Sequence, residues 1–302
     1  MISSLISIIF ASNISLHSDI IKESDSLIKT SNSSESLVKD NLMIAPIISA
    51  KSAITIDLKT STVLFEKESN KKAPFASITK LMTALIILEE NQMDEIVKVS
   101  SNATSEPGST MGLFTGENIT VKNLIYGALI NSGNDASTAL AEHNAGSKEA
   151  FVFKMNQKVN NLGLYNTHFQ NPTGLDHPNH YSSASDIAKI AEQIYKNDLI
   201  KEIVITKNTK VTNVENTRTH YLKNTNHLLD SYLNIKGLKT GTTIVAKECL
   251  VIIAELENGR ELLTVVLGSN SRFNDTKILI DWAEKAYFTN KTLNANSITK
   301  HN

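Results

Sequence analysis

Hydrophobic and polar positions first alternate over Ala53-Ile54-Thr55-Ile56-Asp57-Leu58, and again over residues 62–67, with Lys59-Thr60-Ser61 between them. Alternation rich in β-branched residues marks a half-buried strand, so the two runs predict a β-hairpin. Past Pro74 the period changes. The near-continuous apolar run from Leu81 to Leu88 predicts a helix that starts near Ser77 and runs to about Glu90. Apolar residues at helical spacing recur over residues 121–130, 148–161 and 183–195, and an alanine-rich stretch covers 135–144. Gly163 is a C-terminal stop, and Ser183 or Ser185 is a cap. Residues 171–181 form a loop of Asn, Pro, Gly and His. Strand patterns then return over 203–205, 210–212, 219–222 and 234–241. Two longer ones, 248–257 and 260–268, flank Asn258-Gly259 as a hairpin. An amphipathic helix over 277–288 closes the pattern.

This order (strand pair, helices, strands, helix) predicts an α+β fold. Strands from both ends of the chain share one antiparallel sheet flanked by helices, and a mostly helical insert over about 76–200 forms a second lobe. A cleft between lobes is a usual place for a site. There is no internal repeat. Residues 43–290 are read as one catalytic-sized domain. Residues 1–42 are read as a possible signal segment followed by a disordered linker, and 291–302 as a polar tail.

Composition narrows the class. The 302 residues are 41% hydrophobic and 20% charged, with a net charge of -1, which gives no electrostatic case for nucleic acid or an acidic membrane surface. The single cysteine, Cys249, excludes a disulfide within the chain and sits in an apolar strand pattern as a small filler. Residues 6–11 resemble the apolar middle of a secretory signal, but residues 1–20 hold no lysine or arginine, so the signal is atypical. No run reaches the ~18 to 20 apolar residues of a membrane span.

The candidate chemistry begins at Ser77-Ile78-Thr79-Lys80. On a helix, positions i and i+3 share a face, so the Lys80 amine reaches the Ser77 hydroxyl. A serine becomes a nucleophile when a base takes its proton, and an amine held in apolar surroundings has a lowered pKa suited to that task. At a helix start, the Ser77 N–H also lies at the positive end of the dipole, where an oxyanion is stabilised. Two further breaks carry chemistry. Ser132-Gly133-Asn134 puts a hydroxyl and an amide on a tight turn between helices. Lys239-Thr240-Gly241-Thr242 ends a strand with a glycine that lets backbone N–H groups approach a ligand. Each alone has a plain reading, as a cap or a turn.

In this order the three match the Ser-x-x-Lys, Ser-x-Asn and Lys-Thr-Gly signature of penicillin-binding proteins and class A β-lactamases. Over about residues 43 to 290 the chain resembles the serine D-alanyl-D-alanine carboxypeptidases, the low-molecular-mass penicillin-binding proteins. Asn171-Pro172-Thr173-Gly174-Leu175-Asp176 and His180-Tyr181-Ser182 add to the likeness. The resemblance implies a two-lobed serine β-lactamase/penicillin-binding transpeptidase-like fold. It also implies acyl transfer from a peptidoglycan stem peptide ending in D-Ala-D-Ala, covalent capture of β-lactams, no metal or organic cofactor, and a place in the periplasm or at the cell exterior. By the same resemblance Ser77 is the nucleophile, Lys80 its base, and Ser132 a proton relay to the leaving D-alanine, with Lys239 nearby. Backbone N–H groups of Ser77 and Thr242 form the oxyanion hole. Asn134 orients Lys80 and the peptide amide. Lys239, Thr240, Gly241, Thr242 and Arg272 receive the substrate and its carboxylate.

One departure stands out: an Ala-Gly pair common in the family is Ala246-Lys247 here, which is expected to alter the turn after the third motif. Two rivals share the fold. A β-lactamase deacylates with a glutamate-activated water, and residues 162–182 contain no glutamate. A catalytically silent cell-wall binding protein would not need Ser77, Lys80, Ser132 and Lys239 together. Asp176-His177-Pro178-Asn179-His180 offers two histidines without a clear third ligand and reads as a surface loop rather than a metal site.

Overall fold

The computed structural model describes residues 37, 39 and 43–289. The signal-like run and linker expected over 1–42, apart from Leu37 and Lys39, and the tail expected over 291–302 lie outside the described residues. The backbone falls into two units, 1–37 and 38–302, and the architecture below is that of the second.

Strands β1 (Ser52–Asp57) and β2 (Thr62–Lys67) form the expected hairpin. The later strands are β7 (Asn234–Thr243), β8 (Lys247–Glu255) and β9 (Glu261–Ser269). All five build one antiparallel sheet in the order β2-β1-β9-β8-β7, so both ends of the chain meet where β1 pairs β9. Every residue of β1, residues 249–254 of β8 and residues 262–269 of β9 are buried, so both faces of the sheet are covered. That is why Leu250–Ala254 and Leu262–Leu267 read as almost unbroken apolar runs instead of alternating ones. Helix α8 (Arg272–Glu284) lies on the sheet, with Trp282 edge-on to Phe65 at 5.8 Å.

Between β2 and β7 the chain is mainly helical. Helix α1 (Lys80–Glu90) is buried from Lys80 to Ile87. It packs against α3 (Val121–Ile130), α4 (Asn134–Ala145) and α6 (Ala184–Tyr195), while α5 (Lys148–Asn161) covers α4. Ser183 caps α6 by accepting from Asp186 N, one of the two caps expected.

Several expectations are corrected. Residues 203–205 are not a strand. They end helix α7 (Asp198–Ile205), capped by Asn197, whose buried Ile200, Ile203 and Val204 recur at helical spacing. A run of three β-branched residues misleads when a cap lies just upstream. Helix α8 begins at Arg272 rather than residue 277, because the Ser271 turn already fixes its first turn. The short strands β3 (Ile96–Lys98) and β4 (Asn118–Thr120) and the helix α2 (Ser101–Thr104) carry too few residues to show a period. Strands β5 (Asn208–Thr212) and β6 (Thr219–Lys223) pair as a separate hairpin. Among the described residues no helix is long and apolar enough to cross a membrane.

One carboxylate ties the ends of this fold together. Asp275 accepts from Ser49 N (3.0 Å), Ser49 Oγ (2.7 Å), Ala50 N (2.8 Å) and Ser269 Oγ (2.6 Å). Burial pulls its pKa up, but these donors outweigh burial and hold it below the usual carboxylate range. Asp275→Ala leaves the donors without their acceptor, and is expected to lower unfolding free energy by roughly 2–3 kcal/mol. Urea denaturation of the two proteins checks this; a loss near zero would show that water replaces the carboxylate.

Candidate active site

The first element of the site is not an α-helix. Residues Ala76–Thr79 form a 3-10 turn, and α1 begins only at Lys80. The expectation that Ser77 opens the α-helix is corrected accordingly. Ala76 takes φ 51°, a left-handed value that costs a residue with a Cβ on the order of 1 kcal/mol or more. Thr79 Oγ1 donates to Ala76 O at 2.8 Å and holds the turn closed.

Lys80 is fully buried, and its Nζ sits 3.0 Å from Ser77 Oγ, 2.6 Å from Asn134 Oδ1 and 2.7 Å from Thr173 O. Asn134 Nδ2 donates to Pro107 O at 2.6 Å, which fixes the amide so that its oxygen faces the lysine. Asn134 Oδ1 and Thr173 O only accept. A neutral Lys80 therefore spends its two N–H bonds on them, and its lone pair faces Ser77 Oγ. Burial pushes the Lys80 pKa well below its usual value, and the Lys239 cation pushes the same way; Asp135 and Glu106 oppose them.

Asn134 is the first residue of α4, and Ser132 lies on the turn before it, buried, at φ 59°. This turn is stitched to the 107–113 segment. Asn134 N donates to Ser109 O (2.7 Å) and Asn131 Nδ2 to Thr110 O (2.6 Å). The Asp135 carboxylate gathers the N–H groups of Met111, Gly112 and Leu113 at 2.9–3.1 Å.

The third element is the free edge of β7. Lys239 is buried and donates to Thr240 O at 3.0 Å. Burial first, and then the Arg272 guanidinium, lower its pKa to about 7. Thr240 Oγ1 pairs with Thr225 Oγ1 at 2.6 Å, and Thr225 N reaches Ile130 O beside the Ser132 turn. A Cβ on Gly241 would stand 3.0 Å from Ser77 N and 2.9 Å from Phe75 O, so the strand passes the 3-10 turn as closely as glycine allows. Arg272 donates from Nη1 to Gly241 O (2.9 Å) and to Thr242 Oγ1.

The sequence-derived set thus assembles in two contiguous groups. Ser77, Lys80 and Asn134 touch directly, with Ser132 on the turn that carries Asn134. Lys239, Thr240, Gly241 and Thr242 follow β7, which meets Ser77 at Gly241, and Arg272 bonds that strand from the start of α8. In the turn between β7 and β8, Lys247 adopts φ 57° and donates to Asn270 Oδ1 at 3.0 Å.

Sequence reasoning missed the supports. Thr173 contributes a carbonyl, a group no side-chain motif reveals. Its loop is held by Asn171 Oδ1, which accepts from Thr173 N, Thr173 Oγ1, Gly174 N and Leu175 N at 2.7–3.2 Å. Asn-Pro-Thr-Gly was a readable turn signal for this cradle. A Cβ on Gly174, at φ 92°, would lie 2.0 Å from Ala76 O. His180 is not a surface residue, as the loop reading expected. It is buried, stacked on Phe75 at 4.9 Å, with both ring nitrogens engaged. Gln170 N donates to Nδ1 (3.0 Å), which leaves Nε2–H to donate to Thr79 Oγ1 (2.7 Å). Among the described residues no cluster of three or more His, Cys, Asp or Glu is arranged to hold a metal ion.

Comparison with known proteins follows from this geometry. Residues 39–271 match the family described as D-alanyl-D-alanine carboxypeptidase. The chain is 41% identical over 248 residues to D-alanyl-D-alanine carboxypeptidase DacF of Bacillus subtilis, covering 80% of this chain and 63% of that protein. It is 36% identical over 260 residues to D-alanyl-D-alanine carboxypeptidase DacC of Escherichia coli, covering 81% and 64%. The chain therefore spans a little under two thirds of the length of these two relatives. The crystal structure of the Streptomyces K15 DD-transpeptidase superposes with a TM-score of 0.75 at 32% identity, covering 80% of this chain and 98% of that one.

The buried imidazole yields a test. Burial, helped by the neighbouring His168 and His177, lowers the His180 pKa from 6.5 to about 3. The unfolded chain then takes this proton first as pH falls, so the stabilisation is full above 6.5 and is lost toward 3, amounting to roughly 3 kcal/mol by pH 4. His180→Gln is expected to flatten the fall of unfolding free energy across this range. A slope identical to the parent's would mean the histidine does not resist protonation.

Proposed function

The chain belongs to the D-alanyl-D-alanine carboxypeptidase family, and from that premise we propose that residues 43–290 form a serine-type D-Ala-D-Ala carboxypeptidase domain. The observation that carries this is the Lys80 amine, buried and caged so that its lone pair faces Ser77 Oγ at 3.0 Å. The substrate is a peptidoglycan stem peptide, and its location places the enzyme outside the cytoplasmic membrane, in the periplasm or at the cell exterior.

Lys80 takes the Ser77 proton as Ser77 Oγ attacks the carbonyl between the two D-alanines. The negative oxygen forms beside the backbone N–H groups of Ser77 and Thr242, where the 3-10 turn and the β7 edge converge. The tetrahedral intermediate collapses, the C–N bond breaks, and the departing D-alanine nitrogen takes a proton through Ser132, on the side of the cleft that Lys239 keeps positive. Water then hydrolyses the ester on Ser77 and restores the serine. The terminal carboxylate is held by Lys239, Thr240, Thr242 and Arg272. A β-lactam enters by the same first step. Its adduct persists, because the segment facing Lys80 presents the Thr173 and Pro172 carbonyls, committed to Lys80 and Thr83, instead of a glutamate.

Labelled penicillin is expected to add one mass increment on the peptide containing Ser77 and to remain there for hours. Ser77→Ala should abolish the adduct, and Lys80→Met should slow its formation by about 10²–10⁴-fold. Fast repeated β-lactam turnover without release of D-alanine from a D-Ala-D-Ala peptide would replace this reading with a β-lactamase.

The pH dependence follows from Lys239. Its free-enzyme pKa of about 7 means that the cation awaiting the substrate carboxylate is lost as pH rises through 7. The ratio kcat/KM, which reports the free enzyme, is expected to fall above that pH, chiefly through KM. Lys239→Arg should carry the limb to higher pH. A limb unmoved by that change would assign it to another group.

A further inference from the structure

Between β6 and the segment that follows α2 lies an acid–base pair that no step of the proposed reaction uses. His220, on the buried face of β6, and Glu117, just before β4, are 5% and 6% exposed, and Nε2 lies 2.7 Å from Oε1. Nδ1 lies 3.2 Å from Met111 O, and Glu117 Oε2 accepts from Phe114 N at 3.0 Å. A carbonyl only accepts, so Nδ1 carries a proton, and one more proton lies between Nε2 and Oε1. The pair is therefore neutral as a whole, with both ring nitrogens and both carboxyl oxygens engaged. A second such pair, His143 with Glu95 at 2.7 Å, is 24% and 34% exposed. Burying a pair of this kind costs desolvation that its attraction barely repays, so burial of the first calls for a reason other than stability.

The reason is found in what the pair holds. Its acceptor Met111 belongs to the 107–113 segment. On one side this segment faces the start of α4. There Asp135 takes the N–H groups of Met111, Gly112 and Leu113, Ser109 O accepts from Asn134 N, and Pro107 O accepts from Asn134 Nδ2. On the other side Met111 O meets His220, and the Arg218 guanidinium lies 3.7 Å from the centre of the Phe114 ring. The carbonyls that set the Asn134 amide are thus clamped between α4 and β6. Their placement keeps Asn134 Oδ1 2.6 Å from Lys80 Nζ. Beyond His220 the chain continues to Thr225, whose Oγ1 pairs with Thr240 Oγ1 on β7 at 2.6 Å. Burial, Lys239, Asp135 and Glu106 shift the Lys80 pKa, whereas the neutral pair reaches Lys80 through placement.

We propose that His220 and Glu117 are positioning residues: through Met111 O they lock the 107–113 segment, which orients Asn134 and so aims the Lys80 lone pair at Ser77. The role rests on the carboxypeptidase reading, in which Lys80 is the base of Ser77.

Two substitutions at His220 separate position from stability. His220→Asn puts an amide N–H where Nδ1 stands and keeps the bond to Met111 O. His220→Gln puts it where Nε2 stands and keeps the bond to Glu117 instead. The first strands a buried carboxyl group and the second only a carbonyl, so His220→Asn is expected to have the lower thermal midpoint. Saturation kinetics with labelled penicillin then give a binding constant K and an acylation rate constant k2 at Ser77. The expected ranking of k2 is the reverse of the midpoints: His220→Gln lowers k2 about tenfold with K within about twofold of the parent, and His220→Asn keeps k2 within about threefold. Should His220→Asn fail to fold, the double variant His220→Asn/Glu117→Gln, which removes the stranded charge, replaces it. A k2 that follows the thermal midpoints, a k2 of His220→Gln equal to the parent's, or a defect carried by K overturns the positioning role. D-alanine release from a D-Ala-D-Ala peptide is measured alongside. The expected k2 ranking without release by the parent upholds the positioning role and overturns the carboxypeptidase reading; release by the parent without that ranking does the reverse.

Discussion

An amine hidden from water must be satisfied in whichever charge state it holds, and the site is arranged around that demand at Lys80. Burial penalises the ammonium, and Lys239 adds to the penalty. The cage answers with two groups that only accept, Asn134 Oδ1 and Thr173 O, and one that both donates and accepts, Ser77 Oγ. A neutral amine fills all three contacts with two N–H bonds and a lone pair. An ammonium fills the same three with three N–H bonds while the serine oxygen accepts. A proton therefore passes between Ser77 and Lys80 with no heavy atom obliged to move, which is what preorganisation means for a base.

The four groups of this cage come from residues 77, 80, 134 and 173, and each is held by a device of its own. Asn171 folds the 171–175 loop around its side-chain oxygen. Asp135 draws three backbone N–H groups onto the start of α4. His180 supports the 3-10 turn through Thr79. The close approaches are bounded by glycine, at Gly174 against Ala76 and at Gly241 against Ser77. Left-handed backbone at Ala76 and Ser132 is stored in the two turns that carry the hydroxyls. One helical turn beyond Arg272, Asp275 shows the same economy by joining Ser49, Ala50 and Ser269.

How much of this was legible follows from the kind of signal each part leaves. The sheet was readable because β1, β2, β8 and β9 leave long alternating or apolar runs, and the chemistry because Ser77, Lys80, Ser132, Asn134 and Lys239 are side chains at fixed spacing. The supports were not, because Thr173 and Pro107 act through carbonyl oxygens, which every residue owns. Residues 203–205 read as a strand since three β-branched residues outweigh a cap six residues upstream in a short window. His180 looked exposed because its loop is polar; only the fold brings Phe75 and Phe169 over its ring. Lys247 was legible as a change of residue type, but its left-handed backbone at φ 57° was not, because a lysine carries no signal for that conformation.

The two buried lysines are best understood as a coupled pair. After burial, the Lys239 cation lowers the Lys80 pKa, and repulsion between like charges is reciprocal; Arg272 lowers Lys239 and is a third positive charge that never titrates at neutral pH. In the proposed reaction, a proton arriving on Lys80 therefore makes Lys239 a stronger acid at the moment when the leaving nitrogen needs a proton. Ser132 lies on the turn bearing Asn134, and Thr240 is linked through Thr225 to Ile130 just before that turn. The carboxylates of Asp135 and Glu106 temper the field by opposing the lowering at Lys80. In the proposed reaction, separating the base from the acid side by a strand edge and a helix turn lets one cleft take a proton at Lys80 and deliver one to the leaving nitrogen on the side of Lys239.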